Sequence, residues 1–410
     1  MKSKKNIHYC WLIVLGSWFV MLYGVGIAIT SFSVFLVPLE AKFSFSHTGT
    51  SAIITVASVG ALFSTLVSGK LSKKIGCRRF IGICGIVGSC CFFCYSYCHT
   101  LIQFYIVAFV LGLAEGGGVI VPCTILINNW FHKKRGFAIG LAFSGSGFGA
   151  MVFSPLLTYF IKTYGVLETF KLEACMVLSF SLIAVLLFRE TPQSIGLNPY
   201  GYVEHSEKTY SSLPVSFRCI LRLPQYYFLC AAAFLIGLTI LGVNNQIPSF
   251  LISLGYDPMF AASIISFFNL VLIGGKILYG TINDHKGERI GNMYIFLMWG
   301  SAISCLFLIP HFGFFCIIFA ILCGLGNPIA TVTLPIWTMS FFGKKNYNII
   351  YPTIMIMYLI GQSIGTVLIG IIVDLSGSYL LGFGIFLIVI ILAYFLVQKG
   401  YHLIHKYTKN

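Results

Sequence analysis

Apolar residues run along this chain in long blocks, and polar residues gather in short clusters between them. Twelve blocks stand out, over about 11–38, 48–71, 79–97, 101–129, 136–161, 170–188, 225–253, 259–282, 290–309, 313–341, 347–373 and 379–398. Each reaches the roughly 18 residues at which a helix crosses a hydrocarbon core of about 30 Å. A transmembrane barrel would instead show alternating segments of about ten residues. The pattern predicts an all-α integral membrane protein of twelve transmembrane helices. The first block follows Lys2, Lys4 and Lys5, as a secretory signal would. It is longer than a signal's apolar region and no small-residue cleavage site follows, so it is expected to stay as the first helix.

One connection is long. Residues 191–224 carry Pro192, Pro199, Pro214 and Pro224 among serines and charges of both signs. This linker divides a six-helix half over 1–190 from a second over 225–410. The halves repeat. The turn after the second block contains Gly69, Lys73, Gly76 and Arg78; the turn after the eighth contains Gly280, Asp284, Gly287 and Arg289 at the same spacing. Both fit G-x-x-x-[polar]-x-x-G-x-R at an offset of 211 residues, and the Trp130–Lys134 turn recurs as Phe341–Lys345 at the same offset. Two separated matches at one offset predict two pseudo-symmetric six-helix bundles in parallel orientation, an architecture of transporters.

Composition agrees with the pattern and charge orients it. Hydrophobic residues make up 58% of the 410 and charged residues only 9%, against about 25% in soluble proteins. With the N-terminus cytoplasmic, 22 of the 26 Lys and Arg fall in the tails, the linker and inside turns. Three (Lys42, Lys162 and Lys171) fall outside, and the last is Lys276 within a span. The positive-inside rule then puts both termini in the cytoplasm, in a multi-pass protein of the plasma membrane. The net charge of +15 lies where anionic lipid headgroups are and calls for no nucleic-acid partner. Most of the 14 cysteines lie in apolar blocks, with Cys90, Cys94 and Cys98 expected on one helical face; they read as small buried hydrophobes rather than a metal site.

These turns resemble the signature of the major facilitator superfamily, between its helices 2 and 3 and echoed between helices 8 and 9. The echo is complete here; in the first copy Lys73 stands where the family has Asp. The segment from Gly112 through Glu115, Gly116, Gly117, Gly118 and Pro122 to Trp130, Lys133, Lys134, Arg135, Gly140, Gly145 and Gly147 is similar to the oxalate:formate antiporter and monocarboxylate transporter branch. In that branch a basic residue four positions before the helix 8 signature glycine binds the substrate carboxylate, and here that residue is Lys276. The resemblance implies a second cation in helix 11 for a dicarboxylate. The matching position, about Ile354, is apolar, so one carboxylate is expected.

The residues themselves support this reading. A lysine at a helix centre costs roughly 2.5–3.5 kcal/mol on insertion scales, so it must face a polar cavity, find a partner or serve a function. Its ammonium suits one carboxylate, and unlike an arginine a lysine can give up its proton in a dry site. The alternative is a lysine that snorkels to the cytoplasmic interface. Glu115, the only acid in the interior of any block and midway along the fourth beside three glycines, reads as a proton carrier or an ion-pair partner of Lys276; alternatively it is a protonated acid bonded to a neighbouring helix. Asn244, Asn245 and Gln246 are expected to line the substrate path, since three consecutive amides cannot all face a protein neighbour. Asn269, Asn327 and Gln362 are weighed as interhelical hydrogen-bond residues. Gly136, Gly140, Ser144, Gly145 and Gly149 predict close packing of the fifth helix and a surface for alternating access. No P-loop frame, metal cluster or nucleophile–base pair is readable, so neither a cofactor nor an enzyme is expected. The reading is a secondary active transporter, with a monomeric transport unit, that moves a small organic anion by proton symport or anion exchange. Its rivals are a facilitator for a neutral or cationic solute and a non-transporting sensor of the same fold.

Overall fold

The computed structural model describes residues 8–202, 221 and 223–408. Lys2, Lys4 and Lys5, the middle of the linker with Lys208, Arg218 and Arg222, and Lys409 lie outside the described residues. Among the described residues the chain is helical throughout, and its one isolated bridge pairs Phe131 with Tyr200. Eleven helices among the described residues are long and apolar enough to cross a membrane. The remaining predicted span, 290–309, forms an 18-residue helix, Glu288–Cys305, whose first turn is taken up by Glu288 and Arg289. The chain is thus an all-α membrane protein of the twelve-helix type, and it divides into two compact units, Met1–Thr209 and Tyr210–Asn410.

The first unit opens with α1 (Cys10–Met21), a π-helical segment (Leu22–Thr30), a 3-10 turn (Ser31–Phe35) and α2 (Leu36–Phe43). The pattern predicts one unbroken helix over 11–38. Gly24 and Gly26 alternate with β-branched Val25, Ile27, Ile29 and Thr30, residues with weak helix preference, and the winding changes where they cluster. Then come α3 (His47–Ile75), α4 (Cys77–Tyr95), α5 (Leu101–Gly118), α6 (Ile120–Trp130), α7 (Arg135–Tyr164) and α8 (Val166–Leu187). α3 packs on α5, α4 on α5 and α8, and α7 on α1 and the π-helical segment. Small residues set these approaches: a Cβ on Gly112 or Gly116 would run into the Ala57 or Ala61 backbone of α3. Of the predicted α7 stripe, Gly145 and Gly149 meet the Trp18 and Leu22 carbonyls, and Gly136, Gly140 and Ser144 are buried.

The second unit comprises α9 (Pro224–Asn244), α10 (Ile247–Ser253), α11 (Pro258–Lys286), α12 (Glu288–Cys305), α13 (Phe315–Gly326), α14 (Pro328–Thr331), α15 (Thr333–Ser376) and α16 (Tyr379–Thr408). α9 packs on α15 and α16; α11 and α12 pack on α13. α15 is two helices joined at Gly343, whose φ of 69° breaks the winding. Pro248 and Pro328 sit in the first turns of α10 and α14, where a missing N–H costs nothing, and each separates its helix from the one before.

The two signature turns join α3 to α4 and α11 to α12. In each the second glycine takes a positive φ, 92° at Gly76 and 81° at Gly287, which only glycine adopts without strain. The first copy lacks an acid at Lys73, and another residue supplies the charge. The Glu190 carboxylate accepts from the Cys77 N–H at 3.0 Å and the Arg78 N–H at 2.7 Å, covering the N-terminus of α4, while Arg78 Nε donates to the Val185 carbonyl at 2.9 Å. In the second copy the Tyr401 hydroxyl donates to Glu288 at 2.5 Å.

Candidate functional site

In the second unit a basic side chain is held away from solvent. Lys276 lies on α11 and is 4% exposed. It lies where α11 comes closest to its neighbour, because the preceding residue, Gly275, sits against the Gly324 carbonyl and Leu325 of α13. A side chain at Gly275 would separate the helices, so the glycine fixes how near the Lys276 backbone lies to α13. Two turns on, Asp284 and Arg289 are exposed at the signature turn. Lys276 is therefore an interior residue of a membrane-crossing helix (Met259–Lys286) and not part of the charged turn that follows.

The same strand of α13 leads to the amide cluster. The Cys323 thiol donates to Asn244 Oδ1 at 3.6 Å, and Asn244 is the last residue of α9. α13 residues 323–325 thus border Asn244 through Cys323 and Lys276 through Gly275. Asn245 and Gln246 fall in the break between α9 and α10, Asn245 exposed and Gln246 half-buried. The three amides mark an interruption of the seventh span rather than three positions on a continuous helix. Asn327, one turn past Cys323, is buried with its Nδ2 lacking a partner, whereas Asn269 donates to Ile265 O and Gln362 to the Tyr358 hydroxyl. Asn327 therefore joins Asn244 as a polar group at the break of a membrane helix. The signal that finds it is Asn327-Pro328, an amide ahead of a helix-interrupting proline.

The first unit has an acidic interior. Glu115, on α5, lines a small space with Tyr23, Cys84, Gly88, Phe92, Leu111 and Val177, with room for about one water molecule. Its Oε1 is buried without a hydrogen-bond partner. Sequence reasoning takes Glu115 as the only acid inside a span, and the structure corrects this. α8 starts at Val166, so Glu173 is two turns inside it, fully buried, and neither of its oxygens has a partner. The predicted block began at 170, which left Glu173 at its edge. The cysteines of α4 divide: Cys90 and Cys94 are exposed, while Cys91 and Cys98 are buried, Cys98 past the helix end.

Residues 17–292 match the family model of the Major Facilitator Superfamily. The chain is 26% identical to the Escherichia coli (strain K12) protein described as "Uncharacterized MFS-type transporter YhjX" over 354 residues, 83% of this chain and 84% of that one. It is 23% identical to "Monocarboxylate transporter 12-B" of Danio rerio, over 90% of this chain and 82% of the relative. Among solved structures it superposes on the transporter FucP, crystallised in the outward conformation, with a TM-score of 0.71 at 16% identity, covering 95% of this chain and 98% of that one.

Proposed function

The chain belongs to the major facilitator superfamily, and from that premise we propose that it carries a small monocarboxylate across the membrane by alternating access, with Lys276 as the carboxylate-binding group. The observation that carries the reading is Lys276 itself, a cation 4% exposed inside an apolar helix. Removing such a charge from water is unfavourable on its own, and a bound anion offsets that cost. Ammonium-to-carboxylate hydrogen bonds are about twice as strong as neutral ones, so one carboxylate suffices to hold the substrate's charged end. Asn244 and Asn327, at helix breaks that flank α13, can hydrogen-bond the remainder of a small substrate; Asn245 and Gln246 extend the same polar interruption. Ile354, fully buried and apolar, offers no second cation, which favours one carboxylate over two. The relatives named monocarboxylate transporters support this substrate class.

Transport is coupled either to a proton or to counter-exchange of a second anion, with Glu115 the candidate coupling group in the first case. The signature glycines Gly69, Gly76, Gly280 and Gly287, with Arg78, Asp284 and Arg289, form the turns about which the conformational change is organised. The distribution of Lys and Arg supports cytoplasmic termini, anionic lipid on that face and a location in the plasma membrane. Each chain is a complete transport unit.

Uptake of radiolabelled formate, lactate and pyruvate into liposomes reconstituted with the protein tests the reading. Lys276→Met is expected to abolish uptake, with the variant still extracted as a monodisperse protein. Lys276→Arg is expected to retain part of it, since the charge stays while the geometry changes. Undiminished uptake by Lys276→Met removes Lys276 from the site and leaves the facilitator of a neutral solute as the better reading.

A further inference from the structure

The first unit holds a polar centre that carboxylate binding does not use. Glu173 lies on a buried face of α8 with Phe170, Val177 and Ser181, at spacings of three and four residues. Val177, one turn on from Glu173, lines the same small space as Glu115. The two acids lie within electrostatic reach of each other. From α4, Tyr95 lays its ring against Phe170, centroids 5.2 Å apart, and its buried hydroxyl lies within electrostatic reach of both acids. From the π-helical segment, Tyr23 lines the space, and its hydroxyl hydrogen-bonds Ser181.

Four polar atoms here lack a partner: both oxygens of Glu173, Oε1 of Glu115 and the Tyr95 hydroxyl. Each buried atom left so is unfavourable by an amount comparable to a lost hydrogen bond. Four such atoms on neighbouring helices describe a polar centre that calls for a small hydrogen-bonding occupant, and Glu115, alone of the three residues, borders the space for one water. The occupant must also deal with charge. Among the described residues of this unit no lysine or arginine is buried, so two ionised carboxylates would face each other without a counter-cation. The titratable groups within electrostatic reach of the acids are Tyr23 on the π-helical segment and Cys91 and Tyr95 on α4; Cys84 lines the space beside Glu115, Cys123 of α6 lies near Tyr23, and Cys98 lies near Tyr95. Among the described residues the buried faces of α1, α3 and α7 carry no carboxylate, lysine, arginine or histidine, and Cys10 is the one titratable group there.

We propose that Glu115 and Glu173 form a proton-binding pair, with Tyr95 as a hydrogen-bond donor. A proton taken from bulk water makes one O–H bond on one carboxylate and is shared toward the other. The site then carries one negative charge fewer, and the bound proton supplies a donor that the unpartnered oxygens lack. Glu115 is the member nearer release, since it is half-buried while Glu173 is sealed. The use of this proton in transport rests on the proposed function; its binding does not.

Infrared difference spectra test the binding. They are taken between the full-length protein in lipid nanodiscs and its Glu115→Gln/Glu173→Gln double variant, along a pH series. The expected wild-type-minus-variant spectrum holds the C=O stretch of a protonated carboxyl, growing as pH falls, shifted in D2O and weakened in each single variant. Carboxylate bands alone at every pH, or a band that answers to sodium at constant pH instead of to protons, overturns the proposal. If Glu173→Gln does not fold, Tyr95→Phe replaces it: loss of the hydroxyl is expected to move the band and its midpoint, and an unchanged band and midpoint overturns the proposal. Uptake by Glu115→Gln liposomes is expected to lose its dependence on pH. Lys276→Met separates the two readings, because it is expected to keep the carboxyl band while losing uptake. Full uptake by Lys276→Met sinks the assignment of Lys276 and leaves the band as evidence on the pair.

Discussion

Among the described residues two side chains of charged type are buried, and the repeat parts them: the acid Glu173 is in the first unit and the base Lys276 in the second. Laid on each other at the offset of 211, the units show that neither polar centre is copied. Glu115 and Glu173 fall on Gly326 and Gly384, Tyr95 on Leu306 and Tyr23 on Phe234. Lys276 falls on Thr65, whose hydroxyl lies 2.7 Å from the Ala61 carbonyl and 3.0 Å from the Gly116 carbonyl. Asn327 and Cys323 fall on Gly116 and Gly112. The scaffold does repeat. α3 meets α5 through Gly112 and Gly116, and α11 meets α13 through Gly275 and Gly324, each time with a glycine pressed on the facing backbone. The latch at the signature turn repeats too, since Glu190 on Cys77 and Tyr401 on Glu288 are the same pair of positions with the acid moved from one partner to the other. Packing constrains both copies alike, whereas on the proposed reading each buried charge serves a ligand, and one ligand needs only one copy of its site.

The sharpest test moves the cation. Lys276→Thr gives the second unit the residue of the first, and Thr65→Lys does the converse. Uptake is expected to vanish in the single Lys276→Thr variant and to stay absent in the double variant. Thr65 sits in a contact already closed by the Gly116 carbonyl, and no amides stand at its helix breaks. Recovery of uptake in the double variant would show that the units are chemically interchangeable and would remove the comparison's basis. A second, smaller effect probes the shared scaffold. Gly112→Ala and Gly275→Ala each push a methyl into a backbone carbonyl across a helix crossing, and each is expected to destabilise its unit by about 1–3 kcal/mol. Thermal unfolding in detergent should show similar losses for both. A loss confined to one would mean that the crossings are not equivalent.

Much of this was legible in the sequence, and the exceptions share a cause. Span positions follow from hydropathy because lipid admits little else, and the repeat shows in two turns because glycine with positive φ and a charged cluster leave strong local marks. Lys276 stands out since a single cation in an apolar block is unmistakable. Glu173 was hidden because block edges are drawn at the first polar residues, so an acid near an edge reads as interfacial although its helix starts earlier at Val166. The capping by Glu190 was hidden because it joins the turn at Cys77 to the end of α8, and no spacing within either segment reveals it. The π-helical winding after Met21 depends on how Gly26 seats against Gly149 and Ser146, again a tertiary matter. The break at Asn244–Gln246 is half legible: three consecutive amides mark the place, while the reason the helix stops there is Pro248 in the first turn of α10.

The smallest effects concern the latch. Glu190→Gln keeps two acceptor-capable positions reduced to one carbonyl oxygen and removes the negative charge at the start of α4. The loss combines a charge–dipole contribution of about 0.3–1 kcal/mol with one weakened N–H bond. Tyr401→Phe removes a single hydroxyl from Glu288 and leaves that carboxylate able to turn to water at its half-buried position, so about 1 kcal/mol or less is expected. Thermal midpoints of the two variants, measured side by side in one detergent, should fall in that order. Lys73→Asp adds a decisive arm, because it puts an acid back at the signature position beside the turn that Glu190 caps. If Glu190 supplies what the signature acid supplies elsewhere, Lys73→Asp should restore part of the stability lost in Glu190→Gln, and in the parent chain it should change little. A Lys73→Asp substitution that leaves the Glu190→Gln midpoint where it was would mean that Glu190 acts only as a local helix cap, and that the first signature turn has lost its acid without replacement.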